Sequence, residues 1–343
     1  MSPIRRTLTT LLILALSVPT VLAQIDSVFP GGGDSEIMRR QANAFIRSHA
    51  SRIQQDQARA IAMSLIGENG RLNSIRESRN SAPQLPVGVV VKTPAPNMRL
   101  YQRFDADTTR LPLLVYLHGG GWTFGSINSC ARFCATMAAT GRVRVLAVDY
   151  RLAPEHPYPA GLNDCVAAIE YALNNYEALS ITPGGVFVGG DSAGGNLALA
   201  AAMRPELSGQ IDGLILFYPV TKAFSDGSAS WREFGSGYAL DSELMSQFNM
   251  AYTYRSGATP ADPLISVGLA PDSMLSTLPP TLLVAAGRDI LRDQGREFAE
   301  RLPDKITRVE LSQAAHLFIT VPGQDEAFMT AVILASDFIT SRL

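Results

Sequence analysis

Six apolar runs constrain this chain most. Segments 89–91, 111–117, 143–148 (VRVLAV), 186–188, 214–217 and 282–286 are built mainly of Val, Leu, Ile, Phe and Ala. They lack the polar–apolar alternation of a strand with one wet face, so they read as strands covered on both sides. Helix-length segments at 129–140, 162–176, 193–203 and 292–302 fall between them. Strand alternating with helix specifies βαβ units around a mostly parallel central sheet flanked by helices, an α/β architecture. With 46% hydrophobic and 17% charged residues in 343, the chain can bury one large core. The net charge of 29 − 31 = −2 gives no general attraction to nucleic acid or anionic lipid. A small-molecule partner is the expectation, and a homodimer is left open.

The two ends of the chain differ from its middle. Arg5 and Arg6 precede an apolar stretch at 11–18, then Pro19 and the tripeptide Val21-Leu22-Ala23. This is the pattern of a secretory signal peptide cut after Ala23, which places the mature chain in a secreted or periplasmic compartment. The stretch is shorter than the ~20 apolar residues of a membrane span, so no stable insertion is expected after cleavage. Segment 24–80 is polar and helix-compatible, and 81–343 reads as the catalytic domain. Within that domain 221–276 has no buried-strand signal but carries aromatics such as Trp231, Phe234 and Phe248. An insertion of that length reads as a helical cap, with the N-terminal segment joining it. Cys130 and Cys134 lie one helical turn apart with no histidine at metal-ligand spacing, so no metal site is expected. Export permits a disulfide from Cys165 to one of them; three unbonded, buried thiols are the equal alternative.

Chemistry concentrates in Gly189-Gly190-Asp191-Ser192-Ala193-Gly194-Gly195, which follows one apolar run and opens a helical segment. G-x-S-x-G in that setting is a nucleophile elbow: glycines let a tight turn lift Ser192 above the sheet at a helix N-terminus. A second motif, His118-Gly119-Gly120-Gly121-Trp122, ends the run at 111–117. Consecutive glycines let main-chain N–H groups approach a developing oxyanion, and the donors expected are those of Gly120, Gly121 and Ala193. His118, Gly119 and Asp191 are read as supporting this loop. Trp122 and Phe124 are candidates for the substrate pocket, although ordinary core is the commoner fate of a single aromatic.

A serine needs a base, and the base needs an orienting carboxylate. Only four histidines are available. His49 lies in the polar N-terminal segment, His118 belongs to the glycine loop, and His156 sits in a proline-bounded turn. His316, in a loop between a strand-like run and the last helix, remains. The acid should fall between serine and histidine in chain order. Asp289, just past the run at 282–286, sits at a strand's carboxyl end, where such sites collect. Asp293 competes, but capping a helix accounts for it.

These residues resemble a known family. HGGGW at 118–122, DYRLAPEHPYPAGLND at 149–164, GDSAGG at 190–195, GRDILRD at 287–293 and AHLF around His316 are similar to motifs of the hormone-sensitive-lipase-like esterases. The resemblance implies an α/β-hydrolase fold with a helical cap, and hydrolysis of short- to medium-chain esters without a cofactor. It assigns Ser192, Asp289 and His316 as the triad. Leu317 stands where the family usually has glycine and Ile290 where it usually has proline, and a leader peptide is unusual for these mostly cytoplasmic enzymes. Alternatives on the same triad are an amidase, a peptidase or a deacetylase of acetylated sugars. A non-catalytic binding protein on this fold would be expected to have lost a reacting group.

Overall fold

The computed structural model describes residues 35–343 apart from 50, 107 and 108. The signal-peptide reading of 1–23 lies outside the described residues. The eight strands are β1 Val89–Lys92, β2 Met98–Arg103, β3 Leu111–Leu117, β4 Arg144–Val148, β5 Ile181–Asp191, β6 Gly213–Phe217, β7 Thr281–Arg288 and β8 Ile306–Ala315. They form one sheet in the order β1-β2-β4-β3-β5-β6-β7-β8. β2 runs antiparallel to both its neighbours, and all other neighbours are parallel. The α/β-hydrolase expectation holds.

Eleven α-helices among the described residues complete the fold. Three come first: α1 Glu36–Ser48, α2 Ser51–Ser64 and α3 Gly70–Arg79. Then follow α4 Ala131–Ala139, α5 Ala160–Asn174, α6 Ala193–Ala202, α7 Ala229–Phe234, α8 Ser242–Tyr252, the single turn α9 Asp272–Leu275, α10 Arg292–Glu300 and α11 Asp325–Thr340. α4 and α11 cover one face of the sheet, where Leu114, Tyr116, Phe187 and Ile215 point. α5, α6 and α10 cover the other, where Leu113, Val115, Leu117 and Val188 point. Every residue of β4 and β6 is buried, which is why these runs carry no alternation.

The sheet also settles the cysteines. Cys130 and Cys134 belong to the core on one face and Cys165 to the core on the other, and all three are free. The allowed disulfide from Cys165 does not form because the sheet stands between the partners.

Strand β2 had no apolar run to announce it. Its Gln102 is buried, yet it accepts a hydrogen bond from the equally buried Arg144 of β4, whose guanidinium also donates to Thr109 O at 2.9 Å. Pairing of polar groups inside the core made the strand polar in sequence.

Segment 221–276 contains α7, α8 and α9 and no strand, and α2 packs against α8. Tyr254 Oη donates to Leu65 O at 2.9 Å, tying the two further. α1 behaves differently. Ser35 caps it by accepting from Met38 N, Glu36 and Arg47 match the helix dipole, and Met38, Ala42 and Phe45 make one buried stripe. That stripe rests on β8 and α11. The N-terminal helices thus straddle the boundary between sheet and insertion.

Candidate active site

β5 ends at Asp191 and α6 begins at Ala193, so Ser192 alone makes the turn. It does so at φ 53°, ψ −118°, a conformation that costs a non-glycine residue about 1–3 kcal/mol. The surroundings hold it there: Ser192 N donates to Phe217 O at 2.9 Å, and Ser192 O accepts from Asn196 N and Val220 N. A Cβ on Gly190 would stand 2.4 Å from Leu117 O, and one on Gly194 would stand 2.0 Å from the same atom. The elbow needs both glycines because β3 passes directly beneath it.

Two other strands deliver the partners. His316 follows β8, and its Nε2 lies 3.1 Å from Ser192 Oγ. Asp289 follows β7, and its Oδ2 lies 2.6 Å from His316 Nδ1. Both side chains are buried. Asp289 Oδ1 accepts from Leu291 N at 3.0 Å, so the carboxylate cannot rotate away from the ring. Asp293 does different work. It accepts from Ser230 N at 2.8 Å, from Arg292 and from Arg296, and so joins α7 to α10. Burial alone would raise its pKa, but these donors outweigh it and hold the carboxyl below its ordinary value.

The glycine loop leaves β3 beside the serine. Gly120 and Gly121 take φ of 122° and 60°, and a Cβ on Gly121 would strike the Phe248 ring at 2.2 Å. Both glycines line the same cavity as Ser192 and His316, about 410 Å³ in volume. Ala193 opens α6, where an N–H has no acceptor within the helix. Asp191 pins the loop from below, its Oδ1 accepting from Gly119 N at 3.1 Å and Tyr116 Oη at 3.0 Å. Burial pushes its carboxyl up to about 6. His118 is packed into the base of the loop: Nδ1 is 2.9 Å from Gly119 O and the ring stacks on Tyr150 at 4.3 Å. Burial lowers its pKa, keeping the ring neutral.

Of the two aromatics proposed for the pocket, only Phe124 lines the cavity. Trp122 does not. At φ 57° it turns into the core and stacks face to face on Tyr252 at 4.4 Å.

Several site residues gave no sequence signal. Gln324 is buried and clamps the histidine loop, accepting from Ala315 N at 2.8 Å and donating to Ala315 O and His316 O at 3.2 Å each. Leu317 adopts φ 70°, a left-handed backbone that explains why glycine is the commoner residue there, and its side chain lines the cavity. His49, Gln54, Gln57 and Arg79 from the N-terminal helices and the turn between them line it too. His156 is exposed and far from this role.

Chemically this is the equipment of a serine hydrolase: an elbow serine, an imidazole between it and a fixed carboxylate, and a glycine loop facing all three. The family model of the α/β-hydrolase fold matches residues 114–320. The chain is 36% identical over 267 residues to the carboxylic ester hydrolase LipN of Mycobacterium tuberculosis, covering 74% of this chain and 69% of that protein. It is 37% identical over 209 residues to the carboxylesterase NlhH of the same organism, covering 59% of this chain and 64% of the relative. An esterase structure from Rhizomucor miehei superposes with a TM-score of 0.71 at 27% identity, over 84% of this chain and 96% of that one. This chain belongs to the α/β-hydrolase fold family, within its hormone-sensitive-lipase-like esterases, and is a carboxylic ester hydrolase.

Proposed function

We propose that the chain cleaves short- to medium-chain acyl esters through an acyl-enzyme on Ser192. His316 Nε2 takes the hydroxyl proton as Oγ attacks the ester carbonyl. The new oxyanion is met by the N–H groups of Gly120, Gly121 and Ala193. His316 returns the proton to the leaving alcohol, then draws one from the water that releases the acid. Asp289 keeps Nδ1 protonated and stabilises the imidazolium while it exists. The single observation that carries this reading is the continuous relay Ser192 Oγ–His316–Asp289, at 3.1 and 2.6 Å, opening on a glycine-lined cavity. The cavity volume of about 410 Å³ lies at the lower end of ligand pockets and favours short acyl groups.

Ser192→Ala tests it. The variant should fold and lose p-nitrophenyl butyrate turnover by on the order of 10⁵-fold; turnover within tenfold of the parent would remove Ser192 from the mechanism. The arginine-led start and the Ala23 site support export, with N-terminal sequencing of the mature protein as the check. Among the described residues no helix is long and apolar enough to cross a membrane.

A further inference from the structure

The wall of the cavity opposite the sheet has an unusual composition. α2 presents Gln54 and Gln57, three residues apart and so on one helical face. Both are at least nine-tenths buried, at 3% and 4% exposure, yet Gln54 Oε1 and Gln57 Nε2 have no hydrogen-bond partner among the described residues. Buried amides left open in this way are rare in native structures, and here both border the space the substrate must enter. Either amide can turn its donor to a ligand.

Arg79, the last residue of α3, lines the same space. Its guanidinium lies over the Phe124 ring at 5.1 Å, and no carboxylate among the described residues pairs with it. Arg79 is exposed, with its guanidinium still reachable from the cavity. The other arginine of the wall, Arg132, is already paired with Asp325 at 2.6 Å. Among the described residues no Asp or Glu lines the cavity. The wall therefore carries an unpaired cation, one open amide donor on Gln57 and one open amide oxygen on Gln54, and the two buried amide atoms cost folding free energy unless a ligand completes them.

We infer that this wall recognises a carboxylate, so that the favoured substrate is an ester that also carries a free acid group, held by Arg79 with the amides of Gln54 and Gln57. The inference rests on the ester-hydrolase reading and specifies its substrate class. A neutral substrate meets the amides alone; an anion also engages the guanidinium, which lines the same cavity without a carboxylate partner among the described residues.

The test compares matched esters. On the acyl side, monomethyl glutarate is set against methyl hexanoate; on the alcohol side, 4-acetoxybenzoate against 4-methylphenyl acetate. Proton release in a pH-stat reads both pairs. In at least one pair the carboxylate ester should be favoured in kcat/KM by about tenfold or more, the range of a charge-assisted hydrogen bond. That ratio should fall with added salt. It should collapse about tenfold in Arg79→Met and be partly restored in Arg79→Lys. The salt series on the unmodified protein keeps the test valid even if a variant folds poorly. Ratios at or below one in both pairs of the unmodified protein, with the neutral esters well hydrolysed, overturn the carboxylate inference and leave the esterase reading standing. No Ser192-dependent turnover of any of the four esters overturns the esterase reading itself.

Discussion

Replacing Gln324 with leucine tests how the catalytic imidazole is held in place. The side chains are close in volume, so the change opens no large cavity and its effect comes from hydrogen bonds alone. Gln324 satisfies Ala315 N at 2.8 Å and two carbonyls, Ala315 O and His316 O, at 3.2 Å. An orphaned buried N–H costs about 1–3 kcal/mol, and each carbonyl, with a second lone pair and a longer bond, about 0.5–1 kcal/mol. The sum predicts destabilisation of roughly 2–5 kcal/mol, read from urea unfolding followed by fluorescence. The catalytic consequence is separate. Gln324 bonds the backbone of His316 itself, and a shift of about 1 Å in a reacting group can cost on the order of 100-fold. In the folded variant, kcat for p-nitrophenyl butyrate should drop by that order while KM stays within about twofold. A merely structural glutamine would lower stability without splitting kcat from KM. A leucine variant within about 0.5 kcal/mol of the parent and with unchanged kcat would refute the clamp.

Asp289→Asn should cut kcat by about 10³–10⁴-fold with little change in KM, because the amide no longer enforces the tautomer that presents Nε2 to Ser192. Gly194→Ala forces a Cβ to 2.0 Å from Leu117 O and 2.6 Å from His118 O, both backbone; it should cost about 3 kcal/mol or more or prevent folding, whereas Gly70→Ala, with open space around it, should be harmless by the same urea assay. Asp191 gives a pH signature. Its carboxyl titrates near 6 in the fold against an ordinary 3.8, so the folded state holds its proton longer and stability from this group falls as pH rises from about 4 to 6, by roughly 3 kcal/mol. Asp191→Asn should remove that slope in melts run across this window; an identical slope in the variant would show that another group titrates.

The parts of this fold most legible in sequence are those whose environment is uniform. β4 and β6 are buried along their whole length and β3 at all but its first residue, so burial alone dictated their composition. β2 escaped notice because its burial is compensated by a partner, Arg144, that only the tertiary fold supplies. The elbow and glycine loop were equally legible, since close backbone approach permits glycine and nothing else. Trp122 shows the converse. Position after a glycine loop does not fix which way a ring turns, and the left-handed backbone at 122 sent it onto Tyr252. Gln324 and the polar wall of α2 could not be read at all, because a glutamine's role lies in which orphaned groups it meets. Leu317 is the partial exception: its departure from the family's usual glycine was visible in sequence, and the structure supplies the reason, a left-handed backbone.

The two aspartates of the site make the same point chemically. Asp191 and Asp289 each lie at the carboxyl end of a parallel strand, within two residues of a loop that shapes the site, and both are buried. Composition cannot separate them. Asp289 has a donor for each oxygen, an amide on one and the imidazole on the other. Asp191 has two donors on Oδ1 and none on Oδ2, which packs against Gly119 so closely that a Cβ there would sit 2.3 Å away. Asp289 is thus held from both sides beside the imidazole, while burial without a donor on Oδ2 raises the Asp191 carboxyl to about 6 beneath the glycine loop. Partners, not residue type, assign the two roles.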